Sequence, residues 1–144
     1  MIMETAEVRK RVKDTIDSAR RQAADRRAQN SQAEIDYERF LTSIVVPLCH
    51  QVAGALRAEG YPFLVNTPAG AVRLASERWP QDFIEIRLDT SGARPQVVAR
   101  VERVKGRDLI AEDRPIKASA LVEHLSDQDV LDVVSDALAV FLEK

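Results

Sequence analysis

The chain has 144 residues, of which 45% are hydrophobic and 31% are charged, and its formal net charge is −2. This length fits one domain with a single core, and the composition is that of a folded protein rather than a disordered one. The single cysteine, Cys49, excludes an internal disulfide and a cysteine-based zinc site. A slightly negative net charge also argues against general adhesion to nucleic acid.

The beginning of the chain predicts its compartment. The stretch MIMETAEVRK has acidic side chains where a signal peptide needs an apolar segment. The longest nearly continuous apolar run, IVVPLC, is far shorter than the roughly 20 residues that cross a bilayer. We therefore expect a cytoplasmic protein that does not bind a membrane.

The stretch from residue 8 to residue 27 predicts an amphipathic helix. At about 100° per residue, five apolar side chains fall in one narrow stripe of its surface. A narrow stripe in which two of the five residues are alanine suits a helix–helix contact better than the floor of a core, so we interpret it as the seam of a homodimer. This candidate dimer seam consists of Val8, Val12, Ile16, Ala19 and Ala23.

Basic residues run along one side of this seam. Residues 9 to 27 contain eight basic and three acidic side chains, and Arg9, Lys13, Arg20 and Arg27 line up as a basic ridge. One interpretation is that the ridge steers helix pairing, and another is that its charges are only solvated. A third is that it binds a nucleic-acid backbone, which the interleaved aspartates disfavour.

A second helix is expected directly after this segment. Ser31 followed by Glu34 matches a capping box, so we predict a helix start near Gln32, with a kink or a tight turn at Asn30 and Ser31 as the alternative. This helix is long and apolar, and Pro47 in its middle predicts a bend. The domain prediction is therefore an N-terminal helix over residues 1–30, as a candidate dimerisation arm, and a single α+β domain over residues 31–144.

The remainder of the chain predicts a β-meander followed by a helix. Five alternating segments, FLVN, AVRLAS, DFIEIRL, QVVARVERV and RDLIAE, are separated by short turns, which favours an antiparallel sheet. Ser126 and Asp129 form a second capping signature, so the last helix should cover about Asp127 to Glu143. The predicted fold class is α+β, with two N-terminal helices, a five-stranded antiparallel meander and a C-terminal helix.

Catalytic signatures are missing from the sequence. His50 follows Cys49, but neighbouring residues of a helix point about 100° apart, and His124 has no ligand motif around it. The chain contains neither a GxxxxGK phosphate loop nor a GxGxxG fingerprint. We therefore assign no catalytic, cofactor-binding or metal residue, expect no cofactor, and favour a non-catalytic protein.

The only tryptophan lies in the stretch SERWPQD between two predicted strands. A tryptophan in a loop either covers the end of a core or, if it is exposed beside an arginine, has the profile of an interface residue. Arg78 and Trp79 are thus the candidate partner-binding loop. The resulting hypothesis is protein–protein association, as a homodimer and with a possible protein partner. The alternatives are a small ligand or an unrecognised reaction in a pocket between helix and sheet, and nucleic-acid binding by the ridge.

Overall fold

A computed structural model describes residues 2–143 of the chain. Its first feature is one continuous helix from Thr5 to Ala58. This helix consists of α1 (Thr5–Phe40), a π-helical turn (Leu41–Val45) and α2 (Val46–Ala58). At about 1.5 Å per residue it is roughly 80 Å long, more than twice the length of the longest strand.

The predicted break at Asn30 and Ser31 is wrong, because α1 runs through both residues. The chain contains no glycine or proline before Pro47. Asparagine and serine each reduce helix stability by only about 0.5 kcal/mol relative to alanine. The Ser31–Glu34 spacing also occurs naturally inside a helix, where residues three apart share a face. The chain therefore has one N-terminal helix where two were predicted.

Pro47 lies in the first turn of α2, directly after the π-helical turn. The N–H of Val46 donates to the carbonyl of Leu41, five residues earlier rather than four. A regular α-helix would push the proline ring against the carbonyl four residues before it, and the wider π turn relieves that contact. The irregularity expected at Pro47 is thus a π-helical turn, while a bend of the helix axis there stays a prediction.

The five strands form one antiparallel sheet in the order β1-β2-β3-β4-β5. Their bounds are β1 Phe63–Asn66, β2 Ala71–Ser76, β3 Phe83–Asp89, β4 Gln96–Lys105 and β5 Asp108–Pro115. Each strand coincides closely with a segment predicted from alternation and turn residues. In the central pair, Ile86 lies opposite Ala99 and Ile84 opposite Val101, so these side chains share one face.

That inner face carries the core. Val72, Leu74 and Ile86 pack there against Val45 and Cys49 of the long helix. A short 3-10 turn, Val122–His124, precedes α3 (Asp127–Leu142), whose Phe141 ring lies 6.4 Å from that of Phe63. The predicted capping box is confirmed, since the Asp129 N–H donates to Ser126 Oγ at 3.2 Å and the Ser126 N–H to Asp129 Oδ2 at 3.0 Å. Both helices therefore cover one side of the sheet.

By length and composition alone, one 18-residue window of the long helix, with mean hydropathy 1.3, is apolar enough to cross a membrane. The core helix of a globular domain meets the same criterion. Here Val45, Cys49 and Ala53 are buried, and further residues of the helix, including Ile44 and Leu48, pack against the core. The cytoplasmic location and the lack of membrane binding stay predictions.

Candidate functional site

The N-terminal part of α1 extends beyond the domain. Every residue from Ile2 to Gln29 is exposed except Ala23, which is half-buried, and α1 first becomes buried at Ala33. We call residues 5–28 the arm; at 1.5 Å per residue it is about 36 Å long. In proteins most of the stability of a helix comes from packing of its apolar face. Within residues 2–143, hardly any such packing reaches the arm.

The predicted seam lies on this arm. Val8, Val12 and Ile16 are 44%, 52% and 44% exposed, values that leave about half of each apolar side chain in water. Ala19 is exposed as well, and the half-buried Ala23 completes the stripe towards the domain. The structure thus brings the five predicted seam residues onto one helix face that no part of residues 2–143 covers.

The basic ridge lies beside the seam and is exposed throughout. Among the described residues, Arg9, Lys13, Arg20 and Arg27 make no ion pair. The ion pairs within residues 2–143 lie instead on the sheet and at the end of α2, and His124 lies 3.8 Å from Glu123 in the 3-10 turn. The positive charge of the ridge is therefore not neutralised by an ion pair within these residues.

The predicted partner loop lies between β2 and β3. Its backbone is fixed, because the Trp79 N–H donates to Ser76 Oγ at 3.1 Å and the Asp82 N–H donates to the Trp79 carbonyl at 2.7 Å. The Trp79 side chain is nevertheless 59% exposed, and Arg78 beside it is also exposed. The exposed alternative predicted for Trp79 is the one observed.

Asp82 is a site residue that the sequence did not single out. It is 1% exposed, and its Oδ1 accepts a hydrogen bond from the N–H of Val104 at 3.0 Å. This bond joins the Trp79 loop to the end of β4. A pocket of about 470 Å³ lies there, lined by the loop, by Val104 and by Gly106 of the β4–β5 turn. The only feature of the sequence that pointed to Asp82 is its position as an acidic residue directly before an apolar strand.

The loop and the arm lie at opposite ends of the domain. At the arm end, the Tyr37 hydroxyl of α1 donates to the carbonyls of Gly70 and Ile86, at 3.1 and 3.2 Å. At the other end, Arg57 near the end of α2 pairs with Glu77 at the base of the Trp79 loop. A partner bound at the loop would therefore not compete with a partner bound at the arm.

A groove that the sequence did not resolve lies at the base of the arm. It has a volume of about 640 Å³ and lies between α1, the β3–β4 turn and the segment before the 3-10 turn. Gln29 and Asp36 line one wall, Arg94 and Pro95 a second, and Leu121, which is 59% exposed, a third. These residues come from three separate parts of the chain, so no local pattern marked the groove.

The outer face of the sheet is covered by paired charges. Glu85 accepts from Arg73 Nε at 3.0 Å, and Asp113 lies 3.5 Å from Arg87 and 3.4 Å from Arg100. The Arg73 guanidinium also stacks on the Phe83 ring, 3.9 Å from its centroid. Because these charges satisfy one another, this face has little unpaired charge to offer a partner.

The remaining candidates for chemistry stay apart. Cys49 is buried, and burial raises the pKa of its thiol to about 11. His50 and His124 are exposed on different elements. Residues 2–143 contain no group of three histidine, cysteine or acidic side chains that could hold a metal ion. Within residues 2–143 the geometry therefore offers exposed surfaces, a groove and a side pocket, with no assembled group of catalytic side chains.

No protein-family model, curated protein or solved structure matches the chain.

Proposed function

We propose that this protein acts by association rather than catalysis: it forms a homodimer through the arm and presents the Trp79 loop to a second protein. The observation that carries the proposal is the exposed seam, since a helix with an apolar stripe gains stability only when another surface covers that stripe. The seam, the ridge and the loop are the residues that we assign to the two contacts.

The energetics favour a dimer of moderate strength. Three seam residues, Val8, Val12 and Ile16, are each about half exposed. Covering the exposed half of such a side chain contributes about 1 kcal/mol, so the two copies together gain roughly 6 kcal/mol from these residues. A dissociation constant of 1 μM corresponds to about 8 kcal/mol. Because association also costs several kcal/mol of translational and rotational freedom, tens of micromolar is the tightest dissociation constant that these three residues alone can give.

The test is the molar mass in solution over about 1 μM to 1 mM, a range set by that estimate. The full chain should approach twice the monomer mass of 16.1 kDa at the upper end. Ile16→Glu places a charge in the seam and should keep the protein monomeric, whereas Ala28→Glu, on an exposed part of the same helix, should not. A monomer at every concentration, or equal effects of the two variants, would contradict the proposal.

The groove supports a second candidate function, binding of a small polar ligand. Arg94 makes no ion pair within residues 2–143 and could meet a carboxylate or phosphate, while Leu121 and Pro95 supply apolar contact. A thermal shift with acidic metabolites that is lost in Arg94→Ala but kept in Arg107→Ala would support it. If no acidic compound shifts the melting temperature, ligand binding in the groove is excluded.

The exposed ridge leaves nucleic-acid binding as a third candidate. It predicts that the chain is retained on heparin and that retention falls steeply as salt rises. A protein that passes through heparin at low salt would exclude this function and leave the dimer untouched.

A further inference from the structure

The arm contains two arginines that a dimer has to accommodate within its interface. With Ile16 at heptad position a, the core positions of the arm are Thr5, Arg9, Val12, Ile16, Ala19, Ala23 and Arg26. The flanking e positions are the basic Lys13, Arg20 and Arg27, and the g positions are Val8, Thr15 and Gln22. The two arginines, Arg9 and Arg26, bound the apolar part of the seam on both sides. The residues of the second copy that these arginines meet depend on the orientation and register of the dimer, and they decide which orientation and register are lowest in free energy.

A parallel dimer in register places like charges in its core. In that arrangement each core residue meets its own copy, so Arg9 lies on Arg9 and Arg26 on Arg26. The two domains also emerge at the same end, where the groove wall already occupies the surface beside Gln29 and Ala33. Both effects oppose parallel pairing.

An antiparallel dimer offers two registers that pack Ile16 on an apolar partner. If Ile16 lies on Ala19 of the second copy, Arg9 meets Arg26 and Lys13 meets Arg20, and symmetry repeats each contact. Arg9 also lies beside Arg27 there, so that register has six like-charge contacts. If Ile16 lies on Val12 instead, Arg9 covers Ala19 with its aliphatic stem. Lys13 then meets Lys13 on the two-fold axis and Arg9 lies beside Arg20 of the other copy, which symmetry repeats, so three like-charge contacts remain.

The second register also fits the free length of the arm. The stretch over which the two helices overlap ends before the domain begins. The first helical residue, Thr5, lies opposite Ala23 of the other copy, and the groove begins only at Gln29. The free length of the arm therefore accommodates the whole partner helix without a clash with the domain.

We infer that a second copy of this chain covers the seam in antiparallel orientation, with Ile16 of each copy on Val12 of the other. This inference rests on the proposed dimer and adds its orientation and register. The bases of the two domains, taken at Gln29, then lie about 45 Å apart along the rod, at 1.5 Å per residue. Because each Trp79 loop lies at the far end of its domain, the dimer presents two partner sites that face away from each other.

Disulfide trapping in the full chain tests the register. In the double variant Thr5→Cys/Ala23→Cys, the two new thiols of one chain are about 27 Å apart along the helix, so they cannot join within a chain. Oxidation with glutathione disulfide should give a covalent dimer whose peptide map contains the 5–23 linkage. The matched control, Ala23→Cys alone, should stay uncrosslinked, and the buried Cys49 should not react.

The possible results separate the inference from the proposed function. A 23–23 linkage in the control would overturn the antiparallel orientation and keep the dimer. A dimer by light scattering without the 5–23 linkage would overturn the register. A monomer at every concentration would overturn the dimer itself and the inference with it.

Discussion

Lys13 offers the sharpest test of the dimer, because in the inferred register it meets only itself. An equimolar mixture of the wild-type chain with Lys13→Glu can form heterodimers in which Lys13 of one copy faces the introduced carboxylate of the other, whereas both homodimers bring like charges together. An exposed opposite-charge pair stabilises by about 0.4 kcal/mol, and a like-charge pair destabilises by a similar amount. The heterodimer should therefore exceed its random proportion.

The expected excess of heterodimer follows from the single Lys13–Lys13 contact in each dimer. Exchange of the two homodimers into two heterodimers gains about 1.6 kcal/mol, which raises the exchange constant from the statistical value of roughly 4 to about 60. The heterodimer should then make up about 80% of the dimers rather than half. Screening at 1 M salt should return it towards half, since the Debye length falls to about 3 Å.

The assay is native mass spectrometry with one protein labelled with ¹⁵N, so that the three dimers differ in mass. Lys10→Glu is the matched control, because it makes the same chemical change on the side of the arm away from the seam and should give the random proportion. A parallel dimer places Lys13 beside Val8, which is uncharged, and also gives half. A random proportion for Lys13→Glu would therefore refute the register.

Four further predictions concern the domain itself. Trp79→Ala should abolish recovery of a co-purifying protein, while Leu121→Ala, a residue with the same 59% exposure at the other end, should not; equal recovery would place the partner site elsewhere. Cys49 should not react with a disulfide reagent at neutral pH until the protein unfolds, because burial raises the pKa of the thiol to about 11, and rapid labelling of the native protein would contradict its placement. The same shift predicts that the stability due to the neutral thiol is fully present below about pH 9 and is lost as the pH rises through 11. Tyr37→Phe should lower the free energy of unfolding in urea by about 1 kcal/mol, since the hydroxyl donates to two carbonyls, whereas Tyr61→Phe should change little; equal effects would show that the hydroxyl is not holding the helix to the sheet.

Local patterns predicted what local interactions determine. The alternation of Ile84 and Ile86 with Glu85 located β3, and the Ser126 capping box located the start of α3, because each signal acts within a few residues. The same reasoning failed at Ser31. Its spacing to Glu34 fits both a helix start and a helix interior, and helical cooperativity along α1 decided between them. A capping pattern is thus informative only where something else, such as Ser126 following a turn, stops the preceding helix.

The candidate sites also differ in whether a local pattern determines them. The seam and the ridge follow from helical periodicity, so the sequence could place Val12 and Lys13 on their faces without knowledge of the fold. The groove around Arg94 and the buried Asp82 depend on contacts between segments far apart in the chain, which the sequence pattern does not encode. The sequence therefore indicated the seam, the ridge and the Trp79 loop, but neither the groove nor the buried Asp82.

The continuity of α1 through Asn30 and Ser31 has a consequence for function, because it fixes the direction of the arm relative to the domain. If the two Trp79 loops act as a pair, their separation depends on this rigid joint. Ser31 is exposed and Asn30 is half-buried. Replacing both residues with glycine costs the helix about 1 kcal/mol and should make the joint flexible. Replacing both with alanine should keep it stiff.

Spin labels on Arg94→Cys in each copy would measure the result as a distribution of interdomain distances. Arg94 lies in the exposed turn at the base of the arm, so its distance to the label on the other copy reports directly on the joint. The wild-type joint and the double alanine variant should give a narrow distribution, and the double glycine variant a broad one with the same molar mass. Equal widths would show that the helix does not set the spacing, and the two partner sites would then act independently.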